Sequence, residues 1–139
     1  MKNYDPSSGL FPLGEKITPN PKGFSGGDAW IYMFTPDDPQ FRCPVGNVTY
    51  SPGCRNAWHS HPGGQVLLVT GGRGWYCEKG KRAQELKAGD HVLVPPGVIH
   101  WHGAAKDSYF SHIGLVINDK EGISRGFGAV SDEEYDRLP

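Results

Sequence analysis

Four side chains have the types and spacing of a metal site. His59 and His61 stand two positions apart, and Gln65 follows four positions later, after Pro62-Gly63-Gly64. On an extended strand, residues i and i+2 share a face, so both imidazoles are presented together. The Pro-Gly-Gly stretch can bend the chain and bring Gln65, which opens the apolar run Val66-Leu67-Leu68-Val69, back toward them. His100 comes after Pro95-Pro96-Gly97. Imidazole is a common ligand for Mn, Fe, Ni, Zn and Cu, and three imidazoles plus one amide oxygen make a metal site with positions left open for water or substrate. The four converge only if both segments are strands of one barrel. Otherwise His59 and His61 are loop histidines in solvent.

Two more histidines extend the set. His102 lies two positions beyond His100, and strict alternation aims it into the same cavity. His112 sits in a late β-prone run. Either could act as a general base, because imidazole titrates near neutral pH. Either could equally be a hydrogen-bonded core histidine. His91 follows a turn, faces outward and receives no role. Trp58, Trp75 and Trp101 read as barrel packing before pocket walls, and Tyr32, Phe34 and Tyr109 read as core. Arg55 either meets an acidic group of a substrate or is a solvated or salt-bridged surface residue.

The elements that must position these groups are short. The chain has 139 residues, with 20 glycines and 12 prolines, which favours many turns and short strands. Strands are expected over 28–34, 45–50, 55–61, 65–70, 74–78, 82–86, 91–94, 98–103 and 109–117. A tight turn is expected at Gly71-Gly72 and a hairpin tip at Lys79-Gly80-Lys81. Residues 1–27 form an extended N-terminal arm whose apolar points, Phe11, Leu13, Ile17 and Phe24, can dock on the body or on a partner subunit. Residues 28–130 form the barrel. Residues 131–139 carry a short C-terminal helix, with Ser131 as cap and Glu134 completing a capping box. The pattern is that of one all-β domain, a sandwich or barrel.

Composition excludes some functions. The formal net charge is −1, with signs mixed along the chain, so there is no electrostatic basis for nucleic-acid or membrane-surface binding. No apolar run approaches a membrane helix, and the first residues have no signal-peptide core, which makes the cytoplasm the expected location. Cys43, Cys54 and Cys77 are odd in number and lack CxxC spacing. They read as buried or half-buried thiols, not as a disulfide framework or zinc knuckle.

The motifs resemble those of a known family. Gly53, His59-Ser60-His61, Gln65 and Gly72 follow the spacing of the first cupin motif, and Gly89, Pro95-Pro96-Gly97 and His100 that of the second. The resemblance implies a double-stranded β-helix, the cupin or jelly-roll barrel, with a metal in its mouth. Two positions depart from the pattern. Gln65 stands where an acidic ligand is usual, and Ala104 stands where an Asn often closes the second motif. A neutral Gln adds no charge to the site, so the metal keeps its full positive charge, acts as a stronger Lewis acid and is held less tightly.

A narrower resemblance covers Arg55 to Gln65 and Pro96 to Ala104. It is to the small type-2 cupins that include manganese-dependent hydroxynitrile lyases, and to cupins associated with carboxymuconolactone decarboxylase-like proteins. It implies His59, His61, Gln65 and His100 as ligands of a divalent metal, with manganese first and Fe, Ni, Zn or Cu as alternatives. It implies His102 and His112 near the metal. A pocket threonine of the lyases falls at Asn56, whose amide cannot replace the hydroxyl one for one. The expected function is therefore a metal-dependent carbon–carbon lyase acting on a small organic molecule. An Fe or Cu dioxygenase and a non-catalytic binding module stay open as alternatives. A homodimer is expected, with the arm covering a partner's sheet edge.

Overall fold

Turn residues cut the chain every few positions, and the strands follow those cuts. The computed structural model describes residues 3–117 and 119–139. Its strands are β1 (Glu15–Lys16), β2 (Phe24–Ser25), β3 (Ala29–Met33), β4 (Val45–Tyr50), β5 (Arg55–Asn56), β6 (His59–Ser60), β7 (Gln65–Glu78), β8 (Gln84–Lys87), β9 (His91–Val94), β10 (His100–Ala104), β11 (Phe110–Val116) and β12 (Arg125–Gly126). One helix, α1 (Asp132–Asp136), follows. Asn118, inside the span assigned to the barrel, lies outside the described residues, as do Met1 and Lys2.

Every pairing among the described residues is antiparallel. One layer runs β1-β3-β4-β11-β7-β9. The other joins β8, β7, β10, β5 and β2, with β6 and β12 on the edge of β10. The two curl into an all-β half-barrel, in keeping with the all-β barrel class expected from the sequence.

β7 belongs to both layers, and it corrects one expectation. Gly71-Gly72 is not a tight turn between two strands. It is a bend inside one strand of 14 residues. Pairing with β11 shifts register between Ser111 and His112, leaving Thr70 without an opposite residue, and Gly72 takes a φ of +75°. Such an irregularity turns a strand without reversing it. The first half of β7 thereby pairs with β9 and β11, and the second half with β8 and β10. A Cβ at Gly72 would strike the Tyr109 carbonyl oxygen, so glycine is required there.

The arm is tied to its own chain. β1 pairs with β3 and β2 with β5. The Tyr4 hydroxyl donates to Ser111 Oγ at 2.9 Å. Ile17 and Phe24 pack on the main core, which includes Tyr50, Leu67, Val94 and Phe110. A second cluster of Trp75, Trp101, Val130 and Tyr135, with Trp58 against it, seats α1 on the outer face. The tryptophans are thus packing residues. Ser131 and Glu134 form the expected capping box.

Three further expectations change. Arg55 is buried, not solvated: it donates to the Val130 carbonyl at 2.7 and 3.2 Å and to Asp132 at 2.7 Å, and lies over the Tyr135 ring. Tyr32 and Phe34 are exposed, because they lie at and just past the outward end of β3. Cys43 is exposed, whereas Cys54 is buried and Cys77 half-buried.

Candidate metal centre

β6 lies beside β10 with His59 directly opposite His100. The chain then turns at Pro62-Gly63-Gly64, where the Gly64 N–H donates to the His61 carbonyl, and Gln65 opens β7. One ring nitrogen of each of His59, His61 and His100 lies within 4.8 Å of the other two.

The three rings are oriented by one device. His59 Nδ1 donates to the Ala57 carbonyl at 2.7 Å, His61 Nδ1 to the Ile123 carbonyl at 2.6 Å, and His100 Nδ1 to the Val98 carbonyl at 2.9 Å. A carbonyl oxygen only accepts, so the proton of each neutral ring sits on Nδ1 and Nε2 keeps its lone pair. Backbone partners of this kind fix the tautomer and direction of metal-binding histidines. His61 Nε2 is buried with no hydrogen-bond partner. His100 Nε2 stands 3.3 Å from Gln65 Oε1. With the His100 proton on Nδ1, two lone pairs face each other there, and a cation satisfies both.

Burial keeps the rings uncharged. It lowers His59 to about 3, reinforced by the neighbouring His100, and His100 to about 4. It lowers His61 as well. Neutral imidazole is the form that binds metal. The donor set thus fits a divalent ion.

A cavity of about 430 Å³ opens beside the three histidines. His59, His61, Gln65, His102 and His112 line its polar side, and Ile17, Phe24, Ile31, Val48 and Val116 its apolar side. Among the described residues, its lining has no Asp, Glu, Lys or Arg. His100 stands behind this lining, fully buried. His112, Gly114 and Val116 all reach the cavity because they alternate inward along β11.

His102 and His112 lie 4.8 Å apart by ring centroid, edge to face. Burial lowers both, His112 to about 4. Asn56 Oδ1 accepts the His102 backbone N–H at 2.9 Å, and its Nδ2 lies 3.1 Å from His102 Nδ1 and 3.3 Å from Nε2. Asn56 therefore both lines the cavity and steadies His102. All seven candidate residues are thus gathered around one cavity.

Two contributors were hidden in the sequence. Tyr50 places its hydroxyl 2.9 Å from His102 Nδ1 and 3.0 Å from His112 Nε2. An aromatic at an inward strand position reads as core, and Tyr50 is also core. Ile123 acts through its backbone carbonyl, which no residue type announces. The Ala57 and Val98 carbonyls had a weak signal, since each precedes its histidine by two positions.

The cupin domain model matches residues 46–113. The (R)-mandelonitrile lyase of Granulicella tundricola is 39% identical over 106 residues, which cover 72% of this chain and 81% of that protein. The chain belongs to the cupin family. A cupin-like protein from Thermotoga maritima superimposes with a TM-score of 0.87 at 43% identity, covering 93% of this chain and 96% of that one. A cupin 2 conserved barrel domain protein from Rhodopseudomonas palustris, 18% identical with a TM-score of 0.65, covers 87% of this cupin and 83% of its own chain and shares the fold.

Proposed function

We propose that this cupin is a metal-dependent lyase that cleaves and forms the carbon–carbon bond of a cyanohydrin, releasing a carbonyl compound and hydrogen cyanide. The observation that carries this reading is one largely apolar cavity lined by His59, His61 and Gln65, with His100 behind them, and by the neutral pair His102 and His112. The likeness to an (R)-mandelonitrile lyase at 39% identity supports it. Bound by these four side chains, a divalent ion, Mn(II) first, supplies a Lewis acid for negative charge developing on oxygen or cyanide.

The rest of the work falls to the chain. Ile17, Phe24, Ile31 and Val48 enclose the organic part of the substrate and exclude water. The uncharged lining suits a neutral substrate. His102 or His112 takes the hydroxyl proton. The C–C electron pair departs with cyanide, the carbon–oxygen bond becomes a carbonyl, and cyanide leaves with that proton. Gln65 adds no charge to the site, so nothing on the protein repels an anionic leaving group.

The test is benzaldehyde release from mandelonitrile by manganese-loaded protein. Turnover above the buffer rate is expected, and His112→Ala should lower it about 100-fold without changing metal content. No release above buffer contradicts the reading. Oxygen uptake by iron-loaded protein with phenols or diketones would instead favour a dioxygenase, and ligands that raise the melting temperature unconverted would favour a binding module.

A further inference from the structure

The Tyr50 hydroxyl bridges two buried imidazoles, and a hydroxyl has one proton to give. Its oxygen is 2.9 Å from His102 Nδ1 and 3.0 Å from His112 Nε2. All three side chains are almost fully buried, so water does not replace either partner. When both rings are neutral, Tyr50 donates to one ring nitrogen and accepts from the other. Only two arrangements satisfy both bonds and also give the phenol proton an acceptor. In one, both histidines carry their proton on Nε2. In the other, both carry it on Nδ1. A mixed pair either leaves the phenol proton with no ring nitrogen to accept it, or sets two lone pairs against the one proton.

We propose that Tyr50 is a positioning residue that locks the tautomers of His102 and His112 to each other, so that the two rings move protons as one unit. Asn56 biases the choice. Its Oδ1 accepts the His102 backbone N–H, which fixes the amide orientation and leaves the donor-only Nδ2 3.1 Å from His102 Nδ1, 3.3 Å from His102 Nε2 and 3.4 Å from Tyr50 Oη. Nδ1 is the nearer of the two ring nitrogens, and a donor beside it favours a bare His102 Nδ1, hence both protons on Nε2. The inner atoms of the unit are His102 Nδ1, Tyr50 Oη and His112 Nε2. The remaining ring nitrogens are His102 Nε2 and His112 Nδ1, and the latter is buried with no hydrogen-bond partner.

The step balances. A proton bonds to His112 Nδ1 as the His112 Nε2–H bond breaks and that proton passes to Tyr50 Oη. The original phenol proton passes to His102 Nδ1, and the His102 Nε2–H bond breaks to release a proton. One proton enters and one leaves, and both rings end neutral. In a cyanohydrin lyase, which this kinetic consequence presupposes, such a unit can take the hydroxyl proton and return one to cyanide.

The test reads imidazole tautomers from the nitrogen chemical shifts of ¹⁵N-histidine-labelled, metal-free protein, in the wild type and in Tyr50→Phe. The wild type should show His102 and His112 with matched tautomers, both Nε2–H. Tyr50→Phe, which keeps the ring and its packing, should break the match. In the manganese-loaded lyase assay the same variant should lower kcat about 10- to 100-fold with KM within about threefold. A mixed tautomer pair in the wild type overturns the proposal, as does a Tyr50→Phe variant with matched tautomers and unchanged kcat. Should the wild type show no lyase turnover, the function reading fails, while the tautomers still decide the role of Tyr50.

Discussion

Each of the three central histidines gives its Nδ1 proton to a backbone carbonyl, and burial then keeps the ring neutral. Neutrality has a cost that pH can expose. His112 and His100 are lowered from the usual 6.5 to about 4 and His59 to about 3, with burial the largest cause. Between those values the unfolded chain binds protons that the folded chain refuses. Stability must then rise with pH across that window and fall as the solution is acidified through it. Metal-free protein should lose up to about 1.4 kcal/mol per pH unit for each such histidine below about pH 6.5. Thermal melts between about pH 7 and pH 5 check this, and a flat melting temperature contradicts it. At this scale the His59-His61-Gln65 and His100 spacing was legible because strands have a fixed period of two. Tyr50 was not, because sequence does not distinguish a core aromatic from one whose hydroxyl links two histidines.

Elements join through residues whose surroundings no local pattern reveals. Arg55 is 3% exposed and fastens the C-terminal segment to β5 through the Val130 carbonyl, Asp132 and the Tyr135 ring. Asp132 is largely exposed, so its ion pair adds little. The buried bonds to Val130 and the ring contact matter more. Arg55→Ala removes two of the three donors to the Val130 carbonyl, leaving only the Ser25 hydroxyl at 3.3 Å, and uncovers Tyr135. A loss of about 2–3 kcal/mol in urea unfolding is expected, whereas a loss under about 0.5 kcal/mol would show that α1 does not depend on Arg55. From sequence alone Arg55 read as a surface residue, since its partners are 75 or more positions away. The same holds for β7. A Gly-Gly pair signals a turn locally, and only pairing with β11 on one side and β10 on the other makes it a bend.

The whole molecule was the most legible level. Short strands bounded by Pro and Gly, plus two histidine motifs at barrel spacing, define a half-barrel with its polar groups at one mouth. The sequence does not choose between the body and a partner for the arm, because Phe24 and Ile17 fit any apolar surface. They complete this chain's own cavity. An apolar patch stays uncovered on the outer face at the end of β3, where Tyr32 and Phe34 are 38% and 40% exposed. Phe34 meets Phe11 and Tyr32 edge to face there. Contiguous apolar surface of this kind favours self-association. Light scattering should report a dimer, and Phe34→Glu should shift it toward monomer. A wild-type monomer at micromolar concentration contradicts that expectation.

The central claim is that His59, His61, Gln65 and His100 hold one divalent metal. The most direct measurement is metal content by plasma mass spectrometry after reconstitution with Mn, Fe, Zn and Cu in turn. The wild type should retain about one equivalent of at least one ion, Mn first, and His59→Ala and Gln65→Ala should lose most of it while remaining folded. A wild type that retains none of the four, or variants that retain as much as the wild type, would contradict the four-ligand site and the lyase reading built on it.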